Sequence, residues 1–177
     1  MNIGFILCVA GILLNAVGIS LDFLLFNAAG SILTVIGSFQ LGIDGFYSRK
    51  IKFFSILSVP FTIAAYGLTV IYHTAAISAS VLSVSLGIVL FFYIYYTFYF
   101  TEALINCAKG INELAATRSF RGIWSLNGIV AFIFFFCYGS LKSTYLNIAR
   151  AAFLVCALYY CFTIYNNSKR LRLKKND

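Results

Sequence analysis

At 177 residues, 62% hydrophobic and only 10% charged, the chain has too little polar surface to cover a water-soluble domain. Thirteen Lys and Arg against five Asp and Glu give a net charge of +8. The basic residues stand in short clusters at the ends of apolar runs, with no folded basic platform, which argues against nucleic acid and for lipid headgroups.

An apolar run of about 18 residues or more can cross the ~30 Å hydrocarbon layer as a helix. Six such runs, at 3–20, 23–43, 53–72, 76–100, 123–141 and 145–165, predict an all-α integral membrane domain over 1–177: a polytopic bundle of six transmembrane helices with a basic tail at 166–177. The first run has no positive segment ahead of it and no clear A-x-A site after it, so it is read as a span and not as a cleaved leader.

Within the first span Gly4, Cys8, Gly11, Asn15, Gly18 and Asp22 recur at alternating steps of four and three, making one helical face small or polar throughout. The second span answers with Asn27, Ser31, Thr34 and Ser38, and with Gly30 and Gly37. Small residues let membrane helices approach closely, and the connection at 21–22 is very short, so the two spans are expected to form a tight antiparallel hairpin. Packing is one use of these faces. The other is a polar path lined by Asn15 and Asn27, whose amides facing lipid would be unsatisfied.

The third span follows Arg49, Lys50 and Lys52 and contains Pro60, expected to kink it. The fourth opens with a small face of Ser80, Ser83 and Gly87 and closes with eight aromatics in the ten positions 91–100; with Tyr159, Tyr160, Phe162, Tyr165 and Trp124 these predict an aromatic belt at the inner interface. Residues 101–122 come next. Leu104, Ala108, Ile111 and Ala115 recur there at helical spacing, with Glu102, Asn106, Lys109, Asn112 and Glu113 mainly on the other faces. This predicts a cytoplasmic amphipathic helix between spans four and five, lying in the headgroup layer or extending the fourth span.

The sixth span holds Arg150, with Asn147 one turn earlier on the same face. A charge at that depth is costly unless it snorkels, pairs or meets water. Asp22 is the acid expected at the same level, so an outer-leaflet ion pair between Asp22 and Arg150 is expected, with Asn15, Asn27, His73 and Asn147 near it. Two readings stay open: a structural pair, or a vestibule for a small solute or ion. The inner gaps and the tail hold eleven of the thirteen basic residues, among them Lys109, Arg118, Arg121 and Lys169, which puts both termini in the cytoplasm of a multi-pass cell-membrane protein. Only Lys142 sits in an outer gap.

No catalytic, cofactor or metal motif stands out. There is one His, Cys8, Cys107, Cys137, Cys156 and Cys161 show no CxxC, and His73 with Cys137 makes at most a weak pairing for peptidase or acyltransferase chemistry. The two halves do not repeat one another, so six spans permit but do not support an inverted-repeat transporter.

The first hairpin, Ile19-Ser20-Leu21-Asp22-Phe23-Leu24-Leu25-Phe26 through Gly30 and Ile36-Gly37 to Phe46 and Arg49, resembles a group of small, uncharacterised multi-spanning membrane proteins of Gram-positive bacteria. The resemblance covers the first third and implies no activity. In size and span count the chain is also similar to the substrate-binding subunits of energy-coupling vitamin transporters, an analogy of architecture alone. Two functions follow: a small transport-related protein (carrier, channel or substrate-capture subunit) acting on a small solute, or a non-catalytic accessory or scaffold subunit that binds membrane proteins, its own copies or anionic lipid.

Overall fold

The computed structural model describes residues 3–42, 45–74, 79–140 and 143–176, with side chains described for most of them. Among the described residues there are six helices: α1 (Ile3–Ser20), α2 (Leu24–Gln40), α3 (Phe46–Thr74), α4 (Ala79–Gly110), α5 (Leu114–Ser140) and α6 (Ser143–Asn176). All but α2 are long and apolar enough to cross a membrane. Consecutive helices pack as antiparallel neighbours, α6 returns to α1, and α1 also touches α4. The result is a ring closed on itself, with α1 and the apolar stretch of α4 each a little over half buried and the stretches of α3, α5 and α6 about half as buried as that.

The tightest pairing is α1 with α2, and its cause is the glycine face. A Cβ on Gly11 would lie 2.7 Å from the carbonyl oxygen of Gly30 and 2.6 Å from the Thr34 methyl. One on Gly37 would lie 2.6 Å from the amide nitrogen of Cys8, and one on Gly4 would run into the backbone of Gln40. The two backbones therefore touch along most of their length, the contact by which helices associate when lipid supplies no hydrophobic drive.

The turn that makes this possible is a Schellman motif. Asp22 takes φ 53°, and the Phe23 amide donates to the Gly18 carbonyl at 2.9 Å. The same motif ends α4: Asn112 sits at φ 56°, its amide donates to Lys109, and the Glu113 amide donates to Ala108. Asp and Asn tolerate this left-handed backbone better than most side chains.

That second motif changes the expected architecture. There is no separate amphipathic helix at 101–122 among the described residues. Its first half continues α4, burying Ala103, Leu104, Ile105 and Ala108; after Asn112 the rest joins α5, burying Ala116, Thr117 and Phe120. The apolar stripe faces the bundle. Helices α3, α5 and α6 also run past the expected span ends, because a helix need not stop where apolarity does. The start of α3 takes in Arg49, Lys50 and Lys52, with the Lys50 ammonium 5.5 Å from the Phe46 ring and that of Lys52 5.4 Å from Phe39. Helix α3 continues through Pro60, which lies on its exposed side.

The aromatic run at 91–100 is not only a belt. Phe91 and Tyr95 are exposed, but Phe92, Tyr93, Tyr96 and Phe100 are buried with Tyr160 in the core. Phe134 and Phe153 stack beside them, ring centres 5.4 Å apart.

Replacing Gly11 or Gly37 with Leu should lower stability by at least about 2–3 kcal/mol, since backbone and not a flexible side chain stands in the way. Gly122, exposed on α5 with nothing within 4 Å of an added Cβ, should gain roughly 0.5–1 kcal/mol as Ala. Thermal unfolding of the three variants in one detergent checks both signs.

Candidate functional site

Two polar groupings stand out against the apolar bundle. The first is at the end of the ring where α1, α5 and α6 meet. Arg150 on α6 forms an ion pair with Asp22, and its other guanidinium nitrogen donates to the Asn147 amide oxygen at 3.4 Å. The Tyr138 hydroxyl on α5 also donates to the Asp22 carboxylate. Asp22 reaches this position because the Schellman turn swings it off the axis of α1. Arg150 and Asp22 side chains are 26% and 36% exposed, so the pair is neither dry nor fully screened.

Burial holds the Asp22 carboxyl above the ordinary aspartate range; the Arg150 charge and the hydrogen bonds from Tyr138 and Arg150 pull it back only in part. In the folded protein this carboxylate therefore takes up a proton more readily than in the unfolded chain, and stability from this group falls as pH rises from the ordinary aspartate range through the raised one.

The sequence-expected cluster divides at this point. The structure joins Asp22, Arg150 and Asn147. Asn27 lies elsewhere: it is fully buried, its amide packs on Gly18, where a Cβ would come 2.5 Å from its oxygen, and neither amide atom has a hydrogen-bond partner. Asn15 accepts from the Ser31 hydroxyl at 3.5 Å and lines the second grouping. The side chain of His73, and with it the His73–Cys137 pairing, lies outside the described residues, as does Lys142. Among the described residues no group of three His, Cys, Asp or Glu could hold a metal.

The second grouping is inside the bundle. Asn15 of α1, Ser31 and Thr34 of α2, Ser58 and Thr62 of α3, and Tyr93 and Tyr96 of α4 line a cavity that leaves about 10 Å³ for the centre of a water molecule, room for roughly one. The hydroxyls on α2 and α3 turn back on their own helices. Thr34 donates to Ser31 at 2.8 Å, Ser58 to Ser55 at 2.7 Å and Thr62 to Val59 at 3.0 Å. One turn toward the basic end, Ser38 and Ser55 meet across the helices at 3.1 Å. On the far side of α4 the Tyr93 hydroxyl donates to Asn127 at 3.3 Å, and Tyr160 accepts from Thr101 at 2.8 Å while donating to the Thr97 carbonyl at 3.2 Å.

Sequence reasoning found the α2 face but missed the α3 face. Ser55, Ser58 and Thr62 fall at steps of three and four, so helical spacing could have found it. Four of the five cavity hydroxyls and amides sit on helices whose faces are otherwise apolar, and they meet only because the glycine-packed hairpin brings α2 against α3.

A third feature is an apolar groove of about 520 Å³ between α4 and α5, walled by Phe91, Ile94, Tyr95, Phe98, Trp124 and Phe132. Trp124, expected in an interfacial belt, instead packs edge-on against Phe98 at 4.9 Å with its indole N–H buried and unpartnered.

Removing the carboxyl charge with Asp22→Asn should abolish the Asp22-linked pH dependence. Across the mildly acid range wild type should lose stability relative to the variant as pH rises, and melting curves at a series of pH values report the difference. A double-mutant cycle of Asp22→Asn with Arg150→Gln should give a coupling of about 1 kcal/mol.

Comparison of the chain with family models, with curated proteins and with solved structures finds no match in any of the three.

Proposed function

We propose that this chain crosses the cell membrane six times with both termini in the cytoplasm, and that it moves a small polar solute or ion through the interior lined by α1 to α4. The observation that carries the reading is the cavity itself. Asn15, Ser31, Thr34, Ser58 and Thr62 bring polar atoms from three helices to one water-sized space inside an otherwise apolar bundle. Polar groups inside a membrane domain are costly and are retained where they pair or where they meet something polar. Asn15 lies seven residues before Asp22, so the cavity is roughly 10 Å further into the bundle than the Asp22–Arg150 pair. In this reading the pair fastens α1 to α6 at the outer end, above the cavity.

The sidedness rests on the basic residues. Arg49, Lys50, Lys52, Lys109, Arg118, Arg121 and Lys169 all belong to the end of the ring opposite Asp22 and Arg150, the arrangement expected when that end is cytoplasmic. Helix α2 is the short one. Its 17 residues reach about 26 Å, which suffices with a thinned bilayer or with flanking side chains extending to the interface.

The competing reading is an accessory subunit. The open aromatic groove of α4 and α5 favours it, because a lipid chain or a partner's helix would complete that surface.

Osmotic swelling of proteoliposomes in a panel of iso-osmotic small solutes and salts separates the two. At least one solute should enter faster than into empty vesicles. Thr62→Val should slow that entry severalfold, while Thr117→Val, which removes a hydroxyl with the same local bond far from the cavity, should not. Permeability equal to empty vesicles for every solute would favour the accessory reading.

A further inference from the structure

We infer that the interior cavity is a binding site for one dehydrated monovalent cation. The inference deepens the transport reading by naming the class of solute.

It comes from where the hydroxyl protons go. A serine or threonine hydroxyl has a single proton to donate and two lone pairs to offer. Thr34, Ser58 and Thr62 each spend that proton on the carbonyl three residues back in their own helix, at 2.7–3.0 Å. Ser31 directs its own toward Asn15, and Tyr93 directs its own outward to Asn127. What remains on the cavity wall is a set of oxygens presenting lone pairs, gathered from α2, α3 and α4. A wall that accepts and scarcely donates favours an occupant with positive charge.

The wall also selects among cations. None of its lining residues is a carboxylate. Divalent ions are commonly held by carboxylates or keep several waters, and about 10 Å³ has no room for a hydrated ion. A bare alkali ion of about the size of a water molecule, such as K⁺, fits both the space and the neutral oxygen ligands. Asn15 completes the wall from α1, since its amide can present oxygen by a flip of the side chain.

The test is binding, kept separate from flux. Purified full-length protein in detergent is melted in KCl, NaCl or choline chloride, mixed at constant ionic strength. KCl should raise the midpoint saturably, by roughly 3–6 °C at tenfold over its dissociation constant; choline, too large to enter, should give no shift. Thr62→Val and Ser58→Ala should each abolish at least most of the shift, and Thr117→Val should keep it. Equal midpoints in KCl, NaCl and choline chloride would overturn the inference and leave the cavity to a water molecule; a shift that survives both cavity variants would overturn it as well. Because melting needs no membrane, binding without swelling would count against transport alone. Swelling by a neutral solute without a cation shift would count against the cation alone.

Discussion

The backbone contact between α1 and α2 is the constraint on which the other features depend. Gly4, Gly11, Gly30 and Gly37 let the two helices touch where any side chain would hold them apart. Once they touch, the Thr34 methyl rests on Gly11, the Ser31 hydroxyl comes within reach of Asn15, and the polar face of α2 is carried against α3. The same closeness demands a very short connection. A Schellman turn with Asp22 in the left-handed position supplies it, and in doing so hands the carboxylate to Arg150 across the bundle. One packing solution thus places both polar groupings.

Those groupings use two different answers to the problem of polar atoms in an apolar medium. At the outer end a charge meets a countercharge, with Tyr138 and Asn147 adding hydrogen bonds. Burial there still outweighs the neighbours, so the carboxyl remains easier to protonate than usual. In the interior the hydroxyls bond to their own helices, which satisfies donors and leaves acceptors. That is cheap in energy for the empty bundle and selective for what enters it. Asn27 follows neither pattern: with both amide atoms unpartnered and fully buried, it is the most costly single polar side chain of the hairpin. Its place over Gly18 explains how it fits, and nothing in the structure explains why it is polar.

How far the sequence could be read depended on the periodicity of each feature. Glycine spacing in the first two spans carried the hairpin, because small residues at steps of three and four have few other uses in a membrane helix. The Asp22–Arg150 pair was legible from rarity: two charges at one level of a bundle have good reason to meet. The α3 hydroxyls were less visible, since single serines among Phe, Ile and Leu look like ordinary packing until a partner face is known. The aromatic run misled for a physical reason. Tyr93, Tyr96 and Phe100 occupy one helical face and point inward, yet a stretch so dense in rings hides its own period. The segment at 101–122 had a true apolar stripe, but what the stripe faces depends on the break at Asn112, which propensity alone does not place.

Whether α2 crosses the membrane decides the account, because the cavity, the sidedness and the outer position of Asp22 all presume it. Phe23 and Phe46 flank that helix and are both exposed. Single cysteines at these positions, in a chain whose exposed Cys107 is replaced by Ser, can be labelled on intact cells with a membrane-impermeant maleimide. Phe23→Cys should react from outside and Phe46→Cys only after permeabilisation. Reaction of both from the same side would mean that α2 does not span, and the interior assigned here to transport would lose its place between two aqueous faces.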